Sequence, residues 1–226
     1  MKVFKFGGAS VKDATAVKNV AAILNFFPDE NLVVVISAMG KTTNALEKVV
    51  HAYFHEKVNA HPLLNEVKKY HHAIMEELFA ETTHPVFERV NNFLVEIDWV
   101  LEEEPRSFGF VYDQIVSIGE LISTVIVSEY LHSISIKNSW LDIRDVLQTD
   151  NTYREAKVNW EMSNELITKT IPSLFTKANH IVITQGFIGS TTENYTTTLG
   201  REGSDYTASI LAHVLNAESV SIWKDV

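Results

Sequence analysis

Two short apolar segments, separated by a pair of glycines and a helical pattern, open the chain and restrict its fold. The first is KVFKF (2–6), followed directly by Gly7 and Gly8, and the second is the β-branched run LVVVIS (32–37). Between them, apolar residues recur at the spacing of one helix face. A continuous β-branched run is typical of a strand buried on both faces, as in a parallel sheet. The start of the chain therefore predicts a β-α-β unit, with Ser10 and Asp13 as the capping pair of its helix.

The later segments continue this α/β pattern. Three apolar stripes at helical spacing lie between residues 64 and 125 and indicate three long helices in succession. Strand-like SWLDI (139–143), a helix over 161–174, strand-like HIVIT (180–184), a helix over 203–215 and strand-like SVSIW (219–223) follow. This order predicts an α/β doubly wound fold around a parallel sheet, with a helical middle segment as an inserted or one-sided layer. No repeat or linker interrupts the chain, so we expect one domain.

Composition narrows the classes of function. The chain has 226 residues, of which 46% are hydrophobic and 21% are charged, as in a globular domain. Its formal net charge of −10 argues against broad contact with nucleic-acid phosphates, and we expect no apolar stretch near the ~20 residues of a membrane-spanning helix. Cysteine is absent, which excludes disulfides and thiolate metal sites, and the first residues lack a secretory signal pattern. We therefore expect a cytoplasmic protein that binds neither nucleic acid nor a membrane.

KFGGAS (5–10) is the first of several segments that carry chemistry. Lys5 ends the first strand, and the two glycines let backbone N–H groups approach an anion beside a helix N-terminus. The lysine precedes the glycines, unlike in the P-loop, and the third glycine of the dinucleotide fingerprint is missing. The segment suggests a phosphate site, although taken alone it favours a tight turn that needs glycine for its geometry.

VISAMGKTTN (35–44) places small and hydroxylated residues, among them Ser37 and Thr43, directly after a predicted strand. In an open α/β sheet, the crevice beyond the carboxyl ends of the strands holds the ligand. The segment therefore predicts either hydroxyls that face a small polar molecule or a helix cap built from Thr and Asn.

A predicted helix around SIGELIS (117–123) carries polar residues at helical spacing: Asp113, Ser117, Glu120 and Thr124. Such a stripe is usually a solvated face. However, Gly119 and Ser123 make the helix thin beside Glu120, which would suit a pocket wall that holds a cationic group.

TTTLGREGSDYTAS (196–209) places an arginine, two carboxylates and two glycines ahead of a predicted helix. The planar guanidinium of Arg201 can bind a carboxylate bidentately, and Glu120 can hold an ammonium group, so the pair predicts an α-amino acid as ligand. Asp205 falls in the first helical turn, where the helix dipole favours an acid. Its functional alternative is to hold Lys5 or a metal near a transferred phosphate.

Six segments together resemble the aspartate kinases, members of the amino acid kinase family. They are KFGGAS, VISAMGKTTN, SIGELIS, TQGFIGS, TTTLGREGSDYTAS and SIWKDV, in the order and approximate spacing of that family. The resemblance implies an open three-layer α/β sandwich around a mainly parallel sheet, the carbamate-kinase-like fold. It also implies transfer of the γ-phosphoryl group of ATP, with Mg²⁺, to the β-carboxylate of L-aspartate. The product would be 4-phospho-L-aspartate, which leads to lysine, threonine and methionine.

The resemblance also implies roles for individual residues. Lys5 would bind ATP phosphate and stabilise the transition state, and Asp205 would organise the catalytic lysines. Glu120 would bind the amine of L-aspartate, and Arg201 its α-carboxylate. The residues implied to bind ATP are Lys5, Phe6, Gly7, Gly8, Lys224 and Asp225. The residues implied to bind L-aspartate are Ser37, Thr43, Glu120, Phe187, Arg201, Glu202, Gly203 and Ser204.

The sequence departs from the family pattern at several places. Ala9 replaces a commoner Thr, Glu202 stands where many members have Gly, and Lys224 stands where Thr is frequent. The chain also stops where the family continues through a second catalytic lysine and then usually into regulatory ACT domains. We therefore expect a catalytic domain over residues 1–226, truncated before the end of its nucleotide lobe and without an ACT domain. Such a chain would bind L-aspartate but bind and turn over ATP weakly or not at all.

Alternatives to an aspartate kinase stay open from sequence. A kinase for glutamate, N-acetylglutamate or a nucleoside monophosphate shares the phosphate site, although Glu120 with Arg201 favours a free amino acid. A catalytically silent amino-acid-binding subunit would share the same pocket, and a homo-oligomer is also open. His51 and His55 lie one helical turn apart, but no third ligand is evident, so we expect no protein metal site beyond Mg²⁺ carried with the nucleotide.

Overall fold

A five-stranded parallel sheet forms the centre of the molecule. The computed structural model describes residues 1–224 and 226. The strands in this part of the chain are β1 (Lys2–Phe6), β2 (Leu32–Ile36), β3 (Ser139–Leu141), β4 (Ile181–Gln185), β5 (Ile188–Ser190), β6 (Thr196–Thr198) and β7 (Val220–Trp223). The sheet has the order β3-β4-β2-β1-β7, and each neighbouring pair in it is parallel. The strands β5 and β6 form a separate antiparallel pair.

Helices flank the sheet. They are α1 (Ala14–Leu24), α2 (Thr42–His51), α3 (His61–Leu78), α4 (Pro85–Glu102), α5 (Phe108–Val116), α6 (Ile118–Ser133), α7 (Trp160–Leu174) and α8 (Gly203–Val214). Helix α6 packs against β2, β3 and β4, whereas α8 packs against β1, β2 and β7. Helices α3 and α4 pack onto α2 and α6 and build the helical middle segment. The predicted α/β fold with a mainly parallel sheet and a helical middle segment is therefore confirmed.

The buried strands form because their sequences are apolar on both faces. All five residues of β2 (LVVVI) and of β4 (IVITQ) are buried. Complete burial of one aliphatic side chain of this size contributes about 1.5–3 kcal/mol. Thr184 and Gln185 continue β4 into a polar end, where Gln185 accepts a hydrogen bond from the backbone N–H of Ile143 at 2.8 Å. Strand β4 thus ends in polar groups on the side of the sheet where the site lies.

One local prediction is wrong, and one pair of strands was not predicted. Ser10 does not cap α1, because it lies inside a short 3-10 turn (Gly8–Val11) and is buried. Asp13 alone occupies the N-cap, and its carboxylate accepts the N–H of Ala16 at 2.8 Å. The hairpin of β5 and β6 was not predicted, since each of its strands has only three residues and is rich in Gly, Ser and Thr.

One helical segment is more apolar than expected from the sequence. Phe108–Ser133, which comprises α5 and α6, is 26 residues long and contains an 18-residue window with a mean hydropathy of 1.5, so by length and composition it could cross a membrane. The expectation that no segment would approach this length is therefore wrong. However, 83% of its apolar window is buried inside the protein. A central core helix has the same composition, and α6 is the helix against which β2, β3 and β4 pack.

Candidate functional site

A cleft of about 880 Å³ lies at the carboxyl ends of the central strands. It is bounded by the ends of β1 and β2, by α5 and α6, by the segment before α7 and by the start of α8. Eleven of the residues predicted from sequence line it: Lys5, Ser37, Thr43, Glu120, Phe187, Arg201, Glu202, Gly203, Ser204, Asp205 and Lys224. Groups that are far apart in sequence are thus brought to one place, as expected for an open parallel sheet.

Two lysines and one aspartate form the charged centre of the cleft. Lys5 Nζ, at the end of β1, lies 2.7 Å from Asp205 Oδ1, and Lys224 Nζ lies 3.5 Å from Asp205 Oδ2. Partial burial raises the pKa of Asp205, but the hydrogen bond from Lys5 and the charges of both lysines outweigh it and lower that pKa below its usual value. The carboxylate therefore stays ionised and holds two ammonium groups close together, which can neutralise a phosphate.

Glu120 is a carboxylate without a full set of partners. It lies in the first turn of α6 and is only 3% exposed. Burial raises its pKa to about 8, against the lowering effects of a hydrogen bond to the backbone of Ala38 and of the charge of Lys5. Its Oε2 atom is buried and has no hydrogen-bond partner among the described residues. A buried acceptor of this kind is costly to leave unpaired, so the geometry favours an external ammonium group at this position.

The start of α8 approaches the turn after β4 very closely. A Cβ atom on Gly186 would lie 2.5 Å from Ser204 Cβ, and one on Gly203 would lie 2.7 Å from Phe187 Cδ2. The backbone N–H of Phe187 in turn donates a hydrogen bond to Thr207 Oγ1, at 3.0 Å. Glu202, at the N-cap of α8, has a φ of +57°. This left-handed conformation suits glycine, which explains why glycine is common at this position in the family the sequence resembles.

The two glycines after β1 differ in their surroundings. The N–H of Gly7 donates to the carbonyl of Trp223 at 3.1 Å, so it is already engaged within the protein. A Cβ atom on Gly8 would lie 2.6 Å from the carbonyl oxygen of Ala38, which shows that Gly8 is required by close packing of two loops. Phe6, Gly7 and Gly8 do not line the cleft, although Gly7 lies beside Lys5 Nζ. Their predicted contact with ATP stays a prediction, and glycine is needed at residue 8 for close packing against Ala38 and not for a left-handed turn.

The polar stripe on α5 and α6 is not a solvated face. Its four members are all buried: Asp113, Ser117, Glu120 and Thr124. Gly119 does not widen the cleft, because its backbone packs against α2, and an added Cβ would lie 3.0 Å from Thr42 Cγ2. Ser123 Oγ donates to the carbonyl of Ser37 at 2.7 Å and so fixes the end of β2.

The hydroxyl groups after β2 have separate roles. Ser37 and Thr43 line the cleft, as predicted. Thr42 faces the interior, where its Oγ1 donates to the carbonyl of Met39 at 2.6 Å and lies 3.2 Å from His71 Nε2. The N-cap of α2 is Lys41, which makes no side-chain cap. The alternative that Thr and Asn cap this helix is therefore wrong.

Seven further residues line the cleft and were not predicted: Glu47, Tyr112, Thr152, Tyr153, Arg154, Glu155 and Gly200. Four of them belong to the segment TDNTYREA, which reads as an ordinary polar loop in the sequence. Tyr112 and Glu47 form a hydrogen bond of 2.7 Å across α5 and α2. A weak indication that this loop belongs to the site was its polar composition, with Asp, Asn, Thr and Arg in the stretch after a predicted strand.

Among residues 1–224 and 226, no cluster of three or more His, Asp or Glu side chains could hold a metal ion. His51 lies 3.2 Å from Glu56 and stacks near His55, without a third ligand. Asp225, predicted to contact ATP, lies outside the described residues. Neither Arg201 nor Arg154 belongs to any ion pair in the described part of the chain.

The chain is similar to proteins of one known family. The model of the amino acid kinase family matches residues 1–226. Lysine-sensitive aspartokinase 3 of Escherichia coli is 35% identical over 227 residues, which are 99% of this chain and 49% of that protein. Aspartokinase 2, chloroplastic, of Arabidopsis thaliana is 34% identical over 232 residues, which are 99% of this chain and 42% of that protein.

The fold agrees with this result. The crystal structure of E. coli aspartokinase III in complex with aspartate and ADP superposes with a TM-score of 0.89 at 34% identity, covering 100% of this chain and 49% of that chain. The chain thus spans about half the length of these relatives or less.

Proposed function

Because the chain belongs to the amino acid kinase family, we propose that it forms the acceptor-binding and catalytic part of an aspartate kinase. The reaction would transfer the γ-phosphoryl group of ATP to the side-chain carboxylate of L-aspartate. The protein from E. coli that shares this fold was crystallised with aspartate and ADP, which supports the choice of both substrates.

One observation carries the proposal. A single cleft holds the buried carboxylate of Glu120, whose Oε2 atom has no partner among the described residues, the guanidinium of Arg201, which forms no ion pair with them, and the ammonium of Lys5 on Asp205. The carboxylate of Glu120 can bind the ammonium group of a free amino acid, and the guanidinium of Arg201 can bind its α-carboxylate bidentately. Both contacts are charge-assisted hydrogen bonds. An N-acetylated substrate offers no ammonium group, so it would leave Glu120 unpaired.

The chemistry requires positioning and charge neutralisation more than covalent help from the protein. A side-chain carboxylate oxygen of the acceptor forms a bond to the γ-phosphorus while the bond from that phosphorus to the β,γ-bridging oxygen breaks, and ADP leaves with the electron pair. Lys5 stands at the end of β1, where its ammonium neutralises charge on the transferred group. Asp205 keeps Lys5 and Lys224 in place because it contacts both of them.

The nucleotide side of the site is consistent with Mg²⁺ carried by ATP. Both oxygens of Asp205 face lysines, so this carboxylate is not free to act as a metal ligand. Mg²⁺ commonly keeps several waters and binds through substrate phosphates, where it would offset the phosphate charge. We also propose that the chain forms a homo-oligomer and that it is cytoplasmic. The relative from Arabidopsis, by contrast, is named as a chloroplastic protein.

Isothermal titration of L-aspartate, with L-glutamate as comparator, tests the acceptor site. We expect binding that favours L-aspartate, and in Arg201→Ala a loss of about tenfold or more in affinity, since a bidentate charged contact is removed. Circular dichroism checks that both proteins are folded. Arg106→Ala is the matched control, because Arg106 is also exposed and stacks on Phe110 at 4.7 Å but does not line the cleft.

The outcomes separate clearly. Equal affinity of Arg201→Ala and the unsubstituted chain would remove Arg201 from the site. A folded chain that binds neither amino acid would contradict the proposed acceptor. ADP release on addition of MgATP and L-aspartate then measures whether transfer takes place.

A further inference from the structure

A second guanidinium, that of Arg154, lines the cleft and has no role in the function proposed above. Its Cζ atom lies 4.8 Å from the ring centre of Tyr112 and 5.1 Å from that of Phe108, both on α5. Tyr112 lines the cleft too, and its hydroxyl donates to Glu47 at 2.7 Å. The aromatic side chains of α5 thus support the cation at the wall of the cleft, and cation–π contact leaves its hydrogen-bond donors free.

The backbone of Arg154 is held by a buried carboxylate. Asp113 is fully buried, and its two oxygens lie 3.2 and 3.0 Å from the N–H of Arg154. The same carboxylate accepts the N–H and the hydroxyl of Thr198, each at 2.8 Å. These hydrogen bonds connect three parts of the chain: α5, β6 and the loop before α7 that carries Arg154. They therefore fix this loop relative to the rest of the cleft.

The conformation of Arg154 is unusual for its residue type. Its φ is +72°, in the left-handed region that favours glycine. Gly200 packs against it so closely that an added Cβ would lie 3.2 Å from the Arg154 carbonyl oxygen. Non-glycine residues held in this region by surrounding hydrogen bonds are frequent at ligand sites. A large charged side chain in this position therefore calls for a functional explanation.

The charges of the cleft leave one group of the acceptor without a partner. L-Aspartate carries an ammonium group and two carboxylates. In the proposed function Glu120 takes the ammonium and Arg201 the α-carboxylate. Lys5 and Lys224 both contact Asp205 and belong to the phosphate side. Arg154 is the remaining cation of the cleft lining in the described part of the chain, and no ion pair there includes it.

We infer that Arg154 contacts the side-chain carboxylate of the acceptor and thereby selects acidic amino acids over neutral ones. This inference rests on the proposed function, because it assumes that the cleft binds a free amino acid through Glu120 and Arg201. The contact would also orient the carboxylate oxygen that receives the phosphoryl group.

Titration of two ligands into matched variants tests this role. L-Asparagine has the shape of L-aspartate without the side-chain charge. Binding of each ligand is followed by two-dimensional NMR, which measures weak as well as tight binding. The variants are Arg154→Gly, which removes the guanidinium while suiting the positive φ, Arg154→Lys, which keeps a charge, and Arg106→Ala as the control. Arg106 also stacks on two aromatic rings, those of Phe110 and Tyr195, outside the cleft.

We expect Arg154→Gly to weaken L-aspartate binding about five- to tenfold while L-asparagine binding changes less than about twofold. Arg154→Lys should keep part of the preference, and Arg106→Ala should keep all of it. Equal losses for both ligands in Arg154→Gly, or no loss for either, would overturn the inference while leaving the amino-acid site intact. Absence of L-aspartate binding by the unsubstituted chain would overturn the proposed function and this inference together.

Discussion

At the scale of single residues, the cleft depends on polar and charged groups that have no full set of partners in the described part of the protein. Glu120 is buried with one oxygen unpartnered, and Arg201 is exposed without an ion pair in the described part of the chain. Asp205 is the opposite case, because two lysines hold it ionised. A buried group without a partner costs stability in the empty protein, and a ligand that supplies the missing partner offsets this cost.

The raised pKa of Glu120 gives a pH dependence of stability. In the folded chain this carboxyl holds its proton up to about pH 8, whereas the unfolded chain releases it near 4.5. Between these values unfolding releases a proton, so a rise in pH favours the unfolded state. From about pH 5 to pH 7, we expect Glu120 to lower the free energy of unfolding by about 2 kcal/mol, and Glu120→Gln to lack this component.

Urea denaturation of both proteins at the two pH values measures this difference. Glu165→Gln, on the exposed side of α7, is the control and should follow the unsubstituted chain. If Glu120→Gln shows the same pH dependence as the unsubstituted chain, Glu120 is ionised in the empty cleft and the raised pKa is wrong.

At the scale of helices and strands, the site depends on how closely α8 approaches the turn after β4. Gly186 and Gly203 allow this approach, and Ser204 and Asp205 follow in the first turn of α8. The position of these side chains is therefore set by backbone contact between two elements, so a single added methyl group can shift them.

Gly186→Ala should displace the start of α8. The new Cβ would lie 2.5–2.7 Å from atoms of Ser204, among them its Cα, so backbone must move. We expect a loss of about 1–3 kcal/mol in the free energy of unfolding, together with weaker L-aspartate binding. Thermal unfolding and calorimetric titration measure the two effects.

Gly7→Ala is the matched control for stability. A Cβ there would have its nearest neighbours at 3.7 Å, and the φ of −73° suits alanine. Its unfolding free energy should change by less than about 0.5 kcal/mol. Equal destabilisation by the two substitutions would show that the contact with Ser204 is not what makes Gly186 necessary.

Much of this element level could be predicted from sequence, and the exceptions have physical causes. The long apolar runs of β2 and β4 and the stripes of α3 to α6 are strong local signals, and the segments 35–44 and 196–209 both contribute residues to the cleft, as does Lys5. The segment around Arg154 was missed because its place depends on long-range hydrogen bonds to Asp113. The same hydrogen bonds satisfy the carboxylate of Asp113 and allow it to be buried. Because the donors lie on other segments, the helical spacing of the polar stripe could not show that the stripe is buried.

At the scale of the whole molecule, the site joins the two ends of the described chain. Strand β1 lies between β2 and β7, and Trp223 stacks on Phe6 with ring centres 5.8 Å apart and contacts Phe4 edge-on at 5.7 Å. Lys224 follows directly and reaches Asp205. The positions of Lys5 and Lys224 thus depend on the packing of β7 against β1.

Trp223→Ala should weaken this junction. Loss of a half-buried indole that packs on two phenylalanines should lower the free energy of unfolding by about 2–3 kcal/mol. Trp99→Ala is the control, since Trp99 is 62% exposed on α4, and it should change that value by less than about 0.5 kcal/mol. Urea titration followed by circular dichroism compares them. Similar values for both variants would mean that β7 contributes little to the stability of the sheet.

The place of β1 between β2 and β7 also has a consequence for biosynthesis. At ordinary translation speeds, on the order of 10–40 s pass between emergence of the first strand and emergence of the last. During that interval one edge of β1, with Phe4 and Phe6 beside it, has no neighbour. Exposed edges and aromatic side chains are the features that chaperones shield in nascent chains. The sheet is therefore completed only after β7 has emerged, and the cleft with it.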